Sequence, residues 1–205
     1  MNGEQKNRGV KTALWVVALV FLLFGCRSSQ LRLTREDFQN EQKGESQAFL
    51  KLPNGTKLPV TVIHSITGDT VQVSINTQGE ELEQEQYRLT DSEFDLVRAD
   101  TDVFSPPIPL LKFPSSPGPS WDWKGTAKEG ATDRSATAAV ASSQLVLLFG
   151  DTRERVDKVI VHLSIDSGTP VPAKRDLSFW FIEGRGLVKR EFGAGSTRSP
   201  LDEGK

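Results

Sequence analysis

Cysteine is almost missing from this chain of 205 residues: there is one, at position 26. A lone thiol excludes an internal disulfide framework. Histidine is scarce too, with only His64 and His162. Without a second cysteine or a His-x-x-His or Glu-x-x-His spacing, zinc has no ligand set to occupy. Positive charge is not in excess. The 25 Lys and Arg stand against 27 Asp and Glu, a net charge of −2, and no basic stripe offers the phosphate contacts that nucleic acid requires. Gly-x-Ser-x-Gly does not occur, and Gly195-Ser196 in the polar tail lacks the rigid turn a serine nucleophile needs. Asp100 and Asp102 flank Thr101 without the further oxygens of a calcium loop. No catalytic residue and no cofactor are therefore expected, and the chain is not expected to be an enzyme. Long apolar runs are missing as well. The run at 13–24 holds twelve residues, about 18 Å of helix against a hydrocarbon core of ~30 Å.

What is present begins with that short run. Lys6, Arg8 and Lys11 precede it and Gly25 follows it, the marks of a secretory signal peptide, with a spanning helix stretched by its flanks as the alternative. Leu23-Phe24-Gly25-Cys26 resembles the bacterial lipobox, with a large aliphatic residue three places before the cysteine and a small one directly before it. The resemblance implies cleavage after Gly25 and attachment of palmitate-class acyl chains to Cys26, which also disposes of the odd thiol. Phe24 departs from the usual small or β-branched residue at its place. Arg27 stands where an aspartate is linked to inner-membrane retention, which points to the outer membrane, facing the periplasm. One acyl chain binds a bilayer only marginally and a second makes attachment stable; the modification implies more than one.

The mature chain divides by composition. Residues 26–47 read as the lipidated cysteine and a polar tether, with Phe38, Leu31 and Leu33 as the exceptions able to dock. A β domain is expected over 48–192. Asn54-Gly55 is a hairpin turn. Leu58, Val60, Val62, His64 and Ile66 share one strand face opposite Pro59, Thr61, Ile63 and Ser65; Val71, Val73 and Ile75 alternate with polar neighbours; and Val159, Val161, Leu163 and Ile165 face away from Lys158, Ile160, His162 and Ser164. Periodicity leaves 135–149 open between strand and helix. Residues 104–120 hold six of the eleven prolines, so they are expected to cross the sheet as an extended covering segment and not to join it as a central strand, with a boundary between two domains as the alternative. Gly184-Arg185-Gly186 is read as the turn of a hairpin, not a phosphate loop, because a strand follows it. Residues 193–205 are expected to be a disordered tail.

The count is about nine or ten short strands. The fold class expected is all-β, a curved antiparallel sheet or half-open barrel, preceded by a signal-peptide helix. Pro106-Pro107-Ile108-Pro109-Leu110-Leu111-Lys112-Phe113-Pro114 with Gly118 and Trp121-Asp122-Trp123, and 179–189 around Phe179-Trp180-Phe181 and Gly184-Arg185-Gly186-Leu187-Val188, resemble passages of TapB-like exported proteins. That resemblance covers 85–192. It implies a curved sheet like that of the carriers LolA and LolB, and no chemistry.

Few side chains suggest a site. His64 reads as a satisfied core or edge histidine and His162 as exposed. Glu80, Glu81, Glu83 and Glu85 could pair as glycosidase carboxylates, but read better as a solvated hairpin tip. The aromatic group is the remaining feature. If the strands curl, Trp121, Trp123, Trp180 and Phe181 are placed to line an apolar concavity for an acyl chain or hydrophobic peptide; the plain alternative is that they fill the core. The function expected is a membrane-anchored envelope lipoprotein that binds a hydrophobic ligand or a lipoprotein. The alternative is a structural or assembly lipoprotein that docks an envelope protein.

Overall fold

The computed structural model describes residues 32–39, 44–52, 54–115, 118–149, 151–192 and 201–202. The expected signal-peptide helix and Cys26 lie outside the described residues.

Alternation of apolar and polar side chains makes the sheet. One short helix, α1 (Glu36–Gln39), precedes twelve strands: β1 (Gly44–Lys51), β2 (Lys57–Thr67), β3 (Thr70–Thr77), β4 (Glu80–Leu89), β5 (Glu93–Ala99), β6 (Asp102–Lys112), β7 (Ser120–Glu129), β8 (Thr132–Phe149), β9 (Thr152–Ile165), β10 (Ala173–Ile182), β11 (Gly186–Phe192) and β12 (Leu201–Asp202). Each of β1 to β11 pairs antiparallel with its neighbour in sequence, and β12 lies between β11 and β1, closing a barrel. The antiparallel all-β sheet is the one the alternation predicts, with two strands more than expected, β6 and β12. The ambiguous stretch 135–149 belongs to strand β8. Tight turns keep the meander short. Gln78 and Gly79 both take positive φ, 51° and 87°, the pairing that matches the twist of a two-residue hairpin.

The proline-rich segment departs from expectation. Pro106, Pro107 and Pro109 stand inside β6, and the segment is part of the barrel wall instead of a cover laid across it. The missing amide donors still tell. β6 pairs with β7 only from Asp102 to Ser105, and its register with β5 shifts twice. Side chains from β7 replace part of the lost ladder: Trp123 Nε1 donates to the Pro106 carbonyl at 3.1 Å and Trp121 Nε1 to that of Pro109 at 3.0 Å. Gly125 permits the approach, since a Cβ there would lie 2.4 Å from the Ser105 carbonyl oxygen and 2.6 Å from the Trp123 ring.

The folded body extends past both bounds expected for the β domain, and at its start it takes in Leu33 and Phe38, two of the residues read as able to dock. In the expected tail, Leu201 and Asp202 pair with both β1 and β11, and among the described residues no other segment covers those two strand edges. In the expected tether, Leu33 and Phe38 are fully buried. The Asp37 carboxylate reaches back to the start of α1: the Thr34 N–H and hydroxyl both donate to its Oδ2, at 2.6 and 3.3 Å. The other oxygen of Asp37 accepts the Gly184 N–H at 2.7 Å. Arg35 reaches Asp69 at 3.0 Å and also pairs with Asp91. These contacts fasten α1 to the turns after β2, β4 and β10. In an antiparallel meander the β6–β7 connection and the β8–β9 hairpin emerge at that same end.

The barrel interior holds one continuous cluster of buried apolar side chains drawn from α1 and from β1 to β11. Under α1 it is aromatic. The Phe38 ring stacks on Phe94 at 4.6 Å and tilts against Phe113 and Phe181 at 5.6 and 5.8 Å, and Tyr87 stacks on Phe94 at 5.0 Å. Rings of this size contribute roughly 150–250 Å² of buried surface each.

Candidate functional site

The four aromatic residues singled out in the sequence do not face one space. Trp123 and Phe181 belong to the interior cluster and Trp121 packs against it, half-buried. Trp180 is on the other face of β10, because successive side chains of a strand point to opposite sides. There it forms a separate outer cluster with Val156, Ile182, Val188 and Leu147. Lys158 and Lys189, its cross-strand neighbours, place their ammonium groups 4.9 and 4.8 Å from its ring centroid, within cation–π range.

The polar centre of the barrel was not visible from composition. Arg190 on β11 is buried, and its guanidinium donates to Glu85 and, at 2.9 Å, to Glu83, both on β4. The Tyr87 hydroxyl donates to the second oxygen of Glu85 at 2.7 Å. The reading of this acidic run as a solvated tip therefore fails for Glu83 and Glu85, which face inward. Glu85 and Tyr87 are two residues apart and so share the buried face. Burial opposes the charge on Arg190 most strongly, yet Glu85, Tyr87 and Glu83 together outweigh it and hold the guanidinium protonated above its usual range. Through these two ion pairs Arg190 links β11 to β4 across the interior.

Two further buried carboxylates sit near the α1 end. Burial raises the pKa of Asp95 against the hydrogen bond and charge of Arg88. It raises Asp157 likewise, against hydrogen bonds from Gln144 and Ser115 at 3.3 and 3.2 Å. Ser115 also accepts the Leu33 N–H at 2.8 Å and returns its own N–H to the Leu33 carbonyl at 3.1 Å. Leu33, Ser115, Asp157 and Gln144 thus form one chain of contacts from the N-terminal entry of the body to the base of the β8–β9 hairpin. At the far end of β6, Asp102 pairs with Arg175.

His64 is buried on the apolar face of β2, as expected. His162 is exposed, with Nδ1 2.7 Å from Asp176. Next to it the small side chain of Ala139 leaves a shallow groove of about 480 Å³ between Asp122, Lys124, Thr137 and His162. Among the described residues no group of three or more His, Cys, Asp or Glu is placed to hold a metal ion. No helix among them is long and apolar enough to cross a membrane.

The β8–β9 hairpin projects beyond its neighbours. Pairing of β8 with β7 stops at Ala141, and pairing of β9 with β10 begins at Asp157. Beyond those points, among the described strands, the two pair only with each other, out to Phe149 and Thr152. Leu147 and Val156 pack into the outer Trp180 cluster. On the other face of this ribbon Val146 and Leu148 are 63% and 68% exposed, opposite Arg155 and Arg153.

No family model matches the chain, and no curated protein matches it. Among solved structures it is similar to the hypothetical lipoprotein YmcC from Escherichia coli K12, at 13% identity over 80% of this chain and 87% of that one, with a TM-score of 0.37.

Proposed function

We propose that the chain is a non-enzymatic lipoprotein of the bacterial cell envelope, anchored through Cys26, whose barrel serves as a structural or assembly module. The observation that carries this reading is the lone cysteine at the end of a basic and then apolar leader, behind Leu23 and Gly25. Attachment of acyl chains accounts for a thiol at that place without an intermolecular disulfide or a free reactive cysteine. Arg27 supports placement at the outer membrane, facing the periplasm.

Of the two roles set out from the sequence, the geometry favours docking over carrying. A ligand held inside the barrel would have to displace Phe38, Phe94 and Phe181, which pack on one another, and approach the buried Arg190 cluster. Docking asks for no such change.

Metabolic labelling with a fatty-acid analogue tests the anchor. Label is expected on the wild type and not on Cys26→Ala, with residues 1–25 absent from the intact mass of the wild type. Equal label on both would overturn the reading. Native mass spectrometry of the detergent-extracted protein tests the role. A hydrophobic small molecule retained at one per chain would restore the carrier role, and a captured envelope protein supports assembly.

A further inference from the structure

We propose that the projecting β8–β9 ribbon lies on the surface of the anionic lipid bilayer in which Cys26 is held, and so sets the orientation of the barrel on the membrane. The inference rests on the lipid-anchor reading and adds a second, protein-borne contact to it.

Three observations converge. The first is the amphipathic face. Val146 and Leu148 are large apolar side chains left 63% and 68% exposed, and their cross-strand partners are Arg155 and Arg153. Apolar side chains interleaved with arginine suit the headgroup boundary of a bilayer, where methyl groups enter the acyl region and guanidinium groups meet phosphate.

The second is the mounting. The opposite face of the ribbon is held by Leu147 and Val156 against Trp180, Ile182 and Val188, and its base by the Gln144–Asp157 hydrogen bond. The exposed face is thereby presented in a fixed orientation. Asp151 stands in the turn and Glu154 on the packed face, so the ribbon rests on its side and does not enter the membrane turn first.

The third is reach. Seven residue steps separate Cys26 from Leu33, at most about 25 Å of chain at ~3.5 Å per residue. Leu33 is tied through Ser115 to Asp157, at the base of the same ribbon. That length of chain is the most that can separate an anchor at Cys26 from Leu33. The β9–β10 connection, where Val171 is 73% exposed, emerges at the other end of the meander.

The test uses the full, lipidated protein reconstituted in vesicles of phosphatidylethanolamine and phosphatidylglycerol. A lipidated Cys26 has no free thiol, so an environment-sensitive thiol dye reports on one introduced position. Leu148→Cys and Val171→Cys alter exposed side chains and leave the core intact. The dye at position 148 is expected to shift to the blue and to be quenched by lipids carrying a quencher near the headgroup, and the dye at 171 to be unaffected. Replacing phosphatidylglycerol with phosphatidylcholine is expected to reduce the quenching at 148. With vesicle binding intact, absent quenching at 148, or equal quenching at both positions, overturns the ribbon contact alone; a protein partner on this face would give the former. Dye uptake by Cys26 in the unsubstituted protein would instead overturn the anchor reading, and this inference with it.

Discussion

Arg190 and Glu85, 105 residues apart in sequence, meet side chain to side chain inside the barrel. The contact joins β11 to β4 across the interior, with Glu83 as a second acceptor and Tyr87 on the remaining oxygen of Glu85. A charge this deeply buried tolerates its surroundings only while its partners are in place.

Removing one partner is therefore expected to cost more than replacing both. Glu85→Ala should lower stability by about 3–5 kcal/mol. The pair Glu85→Leu with Arg190→Met, made with Glu83→Gln so that no buried carboxylate loses its guanidinium, should cost less than Glu85→Ala alone. Urea unfolding of the three proteins checks the ranking. A Glu85→Ala cost below about 1 kcal/mol, typical of an exposed ion pair, would contradict the buried arrangement.

Asp157 sets a pH dependence. Burial raises its pKa, with Gln144 and Ser115 offsetting part of the effect. An acid whose pKa is raised by folding stabilises the folded state below its unfolded-state pKa, and that contribution is lost as pH rises through the folded value. Asp157→Asn removes the loss. The variant should melt above wild type at pH 7, and the gap should close toward about pH 4, near the ordinary aspartate value. A gap independent of pH would show that the carboxyl does not titrate with folding.

The β6–β7 contact depends on the absence of a side chain at 125. Gly125→Ala would drive a methyl group against the Ser105 carbonyl and the Trp123 ring. A loss of about 1–3 kcal/mol is expected from such overpacking. Trp123→Phe keeps a ring but removes the donor to Pro106, with an expected cost of about 1 kcal/mol. Thermal melts of both variants measure these effects, and an unchanged Gly125→Ala melt would mean that the two strands stand further apart.

Phe38 distinguishes a tether from a folded segment. Phe38→Ala should cost about 3–5 kcal/mol, as expected for a buried aromatic in a core. Denaturant midpoints give the comparison with Arg32→Ala, an exposed neighbour expected to change little. Equal midpoints for Phe38→Ala and wild type would return residues 32–39 to the tether.

The strands with strict alternation could be read directly. Val71, Val73 and Ile75, and Val159, Val161, Leu163 and Ile165, are all buried, because a period of two commits a whole row of side chains to one face. The Trp180–Phe181 pair was harder. Adjacent residues in a strand point apart, and which of the two faced inward depended on the strands beside them. Phe38 gave only a faint signal, a lone ring in a charged stretch without a period. Glu85 gave a misleading one, since its neighbours Glu80 and Glu81 are exposed and its partner lies more than a hundred residues away.

The sequence by itself determined the antiparallel β class, the rows that face the core and the candidate lipid attachment at Cys26, because each follows from residues near one another in the chain. Only the tertiary structure decided that β6 enters the wall despite its prolines, that β12 closes the ring, and that Glu83 and Glu85 serve Arg190. Those outcomes depend on hydrogen-bond donors, strand edges and charges supplied by distant segments, and no local pattern records which distant partner will arrive.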